Sequence, residues 1–310
     1  MYSVEAIGLT KTYADLVAVD QINLRIEPGT LFGFIGPNGA GKSTTLRMLA
    51  GLLEPTDGTI RLQGQDIEAN HDATRWLVGY MPDFFGVYDN MMVWEYLDFF
   101  ARCYALSTER RAGLIPELLD LVDLNHKRDD YVENLSRGMR QRLCLAHTLV
   151  HDPEILLLDE PASGLDPRAR VEIRELLREL QKMGKTIIIS SHILSELSEM
   201  CDQIGIIERG QLLVTGTLDE VRRHLRHEKT IRLKIISDLE PAETLLSTFP
   251  GVSDVFQITG GLEADFVGDD ALTADLLAHM INNDVRITNF TEDVTNLEDV
   301  FLQITEGNVQ

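Results

Sequence analysis

Apolar positions along the chain follow two rhythms. Short unbroken runs bounded by turn residues alternate with stretches in which apolar residues recur every three to four positions. The first pattern predicts strands and the second helices. Segments 3–9 and 17–26, rich in Val, Ile and Leu, read as strands. Leu31–Ile35, Ile155–Leu158 and Thr186–Ser190 have no polar alternation, which fits parallel strands buried on both faces. Shorter strands are predicted at 58–62, 78–81, 203–208 and 211–215, the last two joined by Arg209-Gly210. Helical periodicity covers Ser43–Gly51, 93–122, Ser136–Val150, Pro167–Met183 and Leu194–Cys201. Within 93–122, Leu97, Phe100, Ala101 and Tyr104 share one face, and Leu114, Leu118, Leu121 and Val122 another. Pro167 suits a first helical turn. Such alternation predicts an α/β domain built on a mainly parallel sheet.

A boundary is expected near 227. Beyond it the pattern reads strand 229–236, helix 240–248, strands 252–258 and 261–267 joined by Gly260-Gly261, helix 271–282, strand 285–291 and a last helix 296–305. That β-α-β-β-α-β order is the ferredoxin-like pattern of a small α+β domain. No long repeat, low-complexity tract or coiled coil interrupts the chain.

Charge narrows the choice of partner. The 310 residues carry 28 basic and 50 acidic side chains, a net of −22. Residues 228–310 hold 4 basic and 16 acidic groups, a net of −12. That balance opposes a broad nucleic-acid footprint, which needs Lys and Arg to neutralise phosphates. The basic stretch Arg222, Arg223, Arg226 and Lys229 reads as an exposed helix face. No apolar run approaches the ~20 residues of a membrane span. Met1–Glu5 lacks the basic and apolar regions of a secretory signal, so a cytoplasmic chain is expected. Cys103, Cys144 and Cys201 show no metal-ligand spacing and are expected to be buried thiols.

The strongest chemical signal is Gly36-Pro37-Asn38-Gly39-Ala40-Gly41-Lys42-Ser43-Thr44, a complete G-x-x-x-x-G-K-[ST] phosphate loop between a predicted strand and a predicted helix. Its backbone N–H groups turn inward around phosphate, and the helix aims its positive end at the same point. Lys42 would reach the β- and γ-phosphates and Ser43 would ligate Mg²⁺. Asp159 ends a buried strand, where a carboxylate needs a metal or a partner. It fits an acid contacting Mg²⁺, often through water. Glu160 follows at once, placed to take a proton from water attacking the γ-phosphate. His192 closes the next strand. Strand ends on one edge of a parallel sheet converge on one crevice, which would bring His192 to the γ-phosphate.

With these residues in order, the sequence resembles an ATP-binding-cassette (ABC) ATPase over about residues 3–220. Leu135-Ser136-Arg137-Gly138-Met139-Arg140-Gln141-Arg142 is similar to the family signature. Ile155–Pro161 resembles its Walker B, Ser163-Gly164-Leu165-Asp166-Pro167 its D-loop, and His192 its switch histidine. Tyr13 stands where the family stacks an aromatic on adenine. The resemblance implies that two cassettes pair head to tail, with ATP between the phosphate loop of one and the signature of the other. Ser136 and the Gly138 N–H would contact the γ-phosphate across that interface, and Asp166 would help form it. One cassette per chain then implies a homodimer.

Two departures stand out. Arg137 and Met139 occupy positions where the family often has glycine and glutamine, and Arg137 would add charge near the nucleotide. Asp83, in Gly79-Tyr80-Met81-Pro82-Asp83, replaces the usual glutamine near Mg²⁺. A carboxylate can ligate Mg²⁺ but cannot donate as an amide does. Phe84–Tyr88 and Met91–Tyr96, rich in aromatic residues and methionine, would form part of the groove that receives a short helix of a membrane subunit.

The resemblance thus implies an ATPase domain at 1–226 with a helical subdomain at about 84–150, and an acidic accessory or regulatory domain at 227–310. With the closing Leu297–Leu302, this architecture looks like the ABC-2 exporter branch, in which a separate permease supplies the path and places the ATPase on the inner face of the membrane. The alternatives are a soluble ABC ATPase acting on ribosomes or DNA, and a regulatory module without turnover. Relatives of the first kind usually carry paired cassettes, a coiled coil or a basic arm. Intact Lys42, Asp159, Glu160 and His192 argue against the second.

Overall fold

A computed structural model describes residues 1–84, 86, 88–225 and 229–293. Contacts divide the chain into a unit spanning Met1–Leu218 and a second that starts at Asp219.

The first unit opens with the long hairpin β1 (Val4–Tyr13) and β2 (Leu16–Ile26). Its tight turn puts Ala14 at φ 48°. The central strand β3 (Leu31–Ile35) runs into the phosphate loop and α1 (Lys42–Leu49). Strand β4 (Asp57–Leu62), short β5 (Gln65–Asp66), α2 (His71–Leu77) and β6 (Val78–Met81) follow. Strands β5 and β4 join β1 and β2 in an antiparallel sheet of order β2-β1-β4-β5.

The predicted helical stretch 93–122 is two helices, α3 (Val93–Cys103) and α4 (Thr108–Leu121). Ala105 turns to φ 55° between them, and Ser107 accepts a hydrogen bond from Arg110 N to cap α4. Leu97, Ala101, Leu114 and Leu118 are buried as the periodicity predicts. Then come α5 (Arg137–Thr148), β7 (Ile155–Leu158), α6 (Pro167–Lys182), β8 (Thr186–Ser191), α7 (Leu194–Ser198), β9 (Gln203–Glu208) and β10 (Gln211–Thr217). The main sheet has the order β10-β9-β3-β8-β7-β6. All its pairs are parallel except β10 with β9. Every residue of β3, β7 and β8 is buried, the reason those strands read as continuous apolar runs. Helix α6 buries Ile173, Leu176, Leu177 and Leu180, one stripe of a 3.6-residue period.

The second unit follows with α8 (Leu218–Leu225), whose first residue belongs to the first unit, and then β11 (Lys229–Ile235), α9 (Leu239–Ser247), β12 (Val252–Ile258), β13 (Gly261–Phe266), α10 (Asp270–Asn282) and β14 (Ile287–Asp293). Its sheet is antiparallel with order β12-β13-β11-β14. Strand β13 lies between β11 and β12, the split arrangement expected of the β-α-β-β-α-β order. Ile231, Leu233, Leu262, Ala264 and Phe266 face Leu246, Leu276 and Met280 of the two helices in a separate core. The predicted helix 296–305, Leu297–Leu302, Arg226, Phe85 and Val87 lie outside the described residues.

One expectation about cysteine is corrected. Cys144 is buried and Cys201 partly so, but Cys103 is exposed. It sits on the last turn of α3, where the apolar stripe that buries Leu97 and Ala101 has rotated away.

Helix α5 also builds a histidine into an apolar setting. The His147 ring stacks on Phe100 at 3.9 Å and meets Tyr96 edge-on at 5.9 Å. Cys144 Sγ is 3.9 Å from its Nδ1. Burial, with His151 nearby, pulls its pKa from 6.5 to about 4. The unfolded chain therefore binds a proton near pH 6.5 that the folded chain refuses until about pH 4. Stability conferred by neutral His147 is complete above pH 6.5 and is lost as pH falls toward 4, by about 3 kcal/mol. Thermal unfolding between pH 7 and 4 is expected to show this slope, and His147→Phe to flatten it.

Candidate functional site

The phosphate loop is shaped by close approaches that exclude side chains. A Cβ on Gly36 would lie 2.2 Å from the Ile207 carbonyl of neighbouring β9. Gly41 takes φ 105° at the N-cap of α1 and leaves that helix without a side-chain cap. No acid occupies the first turn, so the helix N-terminus keeps its positive end for an anion. Lys42, 6% exposed, curls back under the loop. Its Nζ donates to the carbonyls of Gly36 at 2.6 Å and Pro37 at 3.1 Å. Glu160 Oε1 lies 3.7 Å away. Burial lowers the Lys42 pKa, and the carboxylates of Glu160, Asp159 and Asp83 act against that shift.

The parallel pairing of β7 with β8 brings the acids together. Asp159, 2% exposed, accepts a 2.6 Å hydrogen bond from Ser190 Oγ. The same Ser190 Oγ accepts from Glu160 N at 2.9 Å. One buried hydroxyl thus joins both acids, a role not read from the sequence. Its only signal was a hydroxyl in an apolar run beside an acid-ended strand. Glu160 has φ 51°, a left-handed conformation costly for a residue with Cβ. His192 Nδ1 lies 3.0 and 3.1 Å from the two Glu160 carboxylate oxygens. Burial raises the Glu160 pKa, and Lys42 and His192 oppose the shift. The arrangement holds a carboxylate whose proton affinity is increased by burial between the Lys42 amine and the His192 ring.

Asn38, Gly39, Ala40, Gly41, Lys42, Ser43 and Thr44 line one cavity together with Asp83, Glu160, Ser163 and His192. Asp159 does not line it, but it is close enough to act on the charges of Lys42 and Glu160. The parallel sheet has therefore gathered the phosphate loop, both acids, Asp83 and His192. Tyr13 stands apart on the β1–β2 hairpin, 46% exposed, with Lys11 Nζ 5.4 Å from its ring centroid.

Ser136, Gly138 and Asp166 are gathered too, but elsewhere. They line a second cavity with Arg137 and Gly164, and none of them borders the first. Ser136 Oγ caps α5 by accepting from Met139 N at 3.3 Å. Asp166 caps α6 by accepting from Ala169 N at 3.0 Å. Arg137 lines that second cavity, and its Nη2 donates to the Ser163 carbonyl at 3.1 Å.

Comparison with known proteins agrees with this geometry. Residues 19–163 match the ABC transporter family, and residues 216–305 match the C-terminal domain of DrrA1-3-like ATP-binding proteins. The chain is 36% identical over 302 residues to the Nod factor export ATP-binding protein I of Cupriavidus metallidurans, covering 96% of this chain and 95% of that one. The solved ATP-binding subunit of an ABC transporter superposes with a TM-score of 0.65 at 30% identity, over 71% of this chain and 92% of the other. A dimeric ATP-binding cassette in a post-hydrolysis state with ADP and Pi matches with a TM-score of 0.64 at 26% identity, over 69% of this chain and 98% of the other. The chain belongs to the ABC transporter family and is an ATP-hydrolysing, ATP-binding subunit of the exporter type.

Proposed function

We propose that two copies of this chain pair head to tail, close ATP between them and use its hydrolysis to drive a separate membrane permease. One observation carries the reading: a single chain presents two half-sites. The phosphate-loop cavity contains Lys42, Asp83 and Glu160 but no signature residue. The signature cavity contains Ser136, Gly138 and Asp166 but no phosphate loop. A second copy completes both at once, because a twofold axis sets each half against its complement. The solved post-hydrolysis relative is itself a dimer. ATP then acts as a switch, since the triphosphate bridges both halves and cleavage releases them.

The residues divide the chemistry. Lys42 and the loop N–H groups bind phosphate, with Tyr13 against the adenine. Glu160 takes the proton of the attacking water, and His192 orients Glu160 and the γ-phosphate. Ser43, Asp159 and Asp83 offer hard oxygen donors of the kind Mg²⁺ prefers. No group of three or more His, Cys, Asp or Glu among the described residues forms a metal cage. That fits an ion held largely by substrate phosphates and water. Bound there, Mg²⁺ would neutralise charge developing on the phosphates.

We assign the ATPase domain to 1–226, with a helical subdomain at about 84–150, and an accessory or regulatory role to 227–310. Among the described residues no helix is long and apolar enough to cross a membrane. We take the permease to be another chain, with this subunit on the inner face of the membrane. Phe84 is 89% and Tyr88 53% exposed beside the helical segment, an apolar surface suited to a permease helix. Tyr96, from the same sequence cluster, is buried and belongs to the core. Native chain extracted with detergent is expected to co-purify with a multi-span membrane protein. A Phe84→Asp, Tyr88→Asp variant is expected to lose that partner while retaining ATP binding. Recovery with ribosomes or DNA instead would overturn the reading.

A further inference from the structure

The loop from Glu160 to Asp166 touches both cavities. Ser163 lines the phosphate-loop side, while Gly164 and Asp166 line the signature side. Its backbone is held by side chains at alternate carbonyls. Gln141 donates to Pro161 O, Arg137 to Ser163 O, and Arg170 Nε to Leu165 O. Arg137 and Gln141 are four residues apart on α5, so one helix face supplies two of the three donors. Gln141 is buried, whereas Arg137 is exposed and reaches the loop from the signature end.

The fit at Arg137 depends on Gly164. That glycine has φ +66°, and a Cβ on it would lie 2.5 Å from the guanidinium carbon. The guanidinium thus occupies the space a side chain would take. From Ser163 the connection continues to the catalytic end: Ser163 N donates to Glu160 O at 3.1 Å, closing a turn over the left-handed Glu160. Two hydrogen bonds separate Arg137 from the backbone of Glu160.

We propose that Arg137 is a positioning residue that latches this loop from the signature helix of the same chain and so fixes the backbone that presents Glu160. The side chain acts on the rate of cleavage rather than on ATP binding at the phosphate loop, because it bonds Ser163 through Nη2 and lies outside the phosphate-loop cavity. This rests on the assignment of Glu160 as the base. That assignment is judged separately by Glu160→Gln, whose turnover does not depend on the latch.

The test is a double-mutant cycle on the full chain, with steady-state ATP hydrolysis read as kcat and KM and with amide exchange measured over 160–166. Arg137→Gly is expected to lower kcat about fivefold, the effect of one lost solvent-exposed hydrogen bond of ordinary strength, with KM for ATP within about twofold. Arg137→Lys is expected to restore most of kcat. Gly164→Ala displaces the guanidinium, so Arg137→Gly added to it is expected to cost nothing further. Amide protection at 160–166 is expected to fall in Arg137→Gly and to return in Arg137→Lys. An Arg137→Gly enzyme with full kcat overturns the proposal, as does a loss confined to KM. Simple multiplication of the two single effects in the double variant also overturns it.

Discussion

Glu160→Gln is expected to lower ATP turnover by about 10²–10⁴-fold, the usual contribution of a positioned general base, while ATP still binds. The substitution keeps the size and shape of the side chain. It leaves the hydrogen bond from the Glu160 N–H to Ser190 Oγ intact, since Glu160 makes that bond through its backbone. What disappears is the oxygen pair that accepts a proton. The wild-type rate should also fall at low pH. Burial raises the Glu160 pKa, so a carboxylate active when ionised is silenced as pH drops through that raised value. The variant is expected to lack this acid limb. With ATP present and cleavage blocked, light scattering is expected to report a dimer. Unchanged phosphate release would remove Glu160 as the base. A chain that stays monomeric with ATP bound would end the head-to-tail reading.

Lys42→Ala is expected to weaken ATP binding by on the order of 10²-fold, from the loss of charge-assisted hydrogen bonds of roughly 1.5–3 kcal/mol each. Two consequences combine. The phosphates lose their buried cation, and the carbonyls of Gly36 and Pro37 lose the donor that folds the loop over α1. A third effect falls on catalysis. Lys42 is the first group that opposes the upward shift of Glu160, so its removal lets burial raise that pKa further and reduces the ionised fraction at neutral pH. The fold itself should survive, because β3 and α1 are anchored by Phe32, Phe34, Leu46, Met48 and Leu49 in the core. The measurement is the ATP-dependent rise in Tm, which follows mass action on the native state. It is expected to shrink sharply in the variant, and a rise within about a degree of wild type would contradict the assigned role of Lys42.

Much of the catalytic unit was legible in residue order because its determinants are local. The phosphate loop needs glycines at fixed offsets between a strand and a helix, and those offsets are visible along the chain. The doubly buried strands were equally plain, since burial on both faces removes polar alternation. The C-terminal unit could be read for a similar reason: its strands and helices alternate cleanly, and Gly260-Gly261 marks the hairpin between β12 and β13.

What failed to show depended on neighbours distant in sequence. The break between α3 and α4 carries neither glycine nor proline, and left-handed Ala105 gives no compositional sign. Cys103 was expected inside because its segment is apolar, yet the end of a stripe faces whatever the next turn leaves uncovered. The partner of Arg137, a loop carbonyl 26 residues away, leaves no mark in the local sequence.

Residue order alone therefore determined the chemistry available: a phosphate cradle, a buried acid, a second acid beside it and a histidine one strand later. Only the tertiary structure decided how those groups act on one another. The pairing of β7 with β8 puts one serine hydroxyl between Asp159 and Glu160, and burial shifts the proton affinities of Lys42 and Glu160 in opposite directions. The physical reason is that hydrogen-bond reach is about 3 Å and desolvation depends on the whole surrounding shell. Neither can be known until strands far apart in the chain lie side by side.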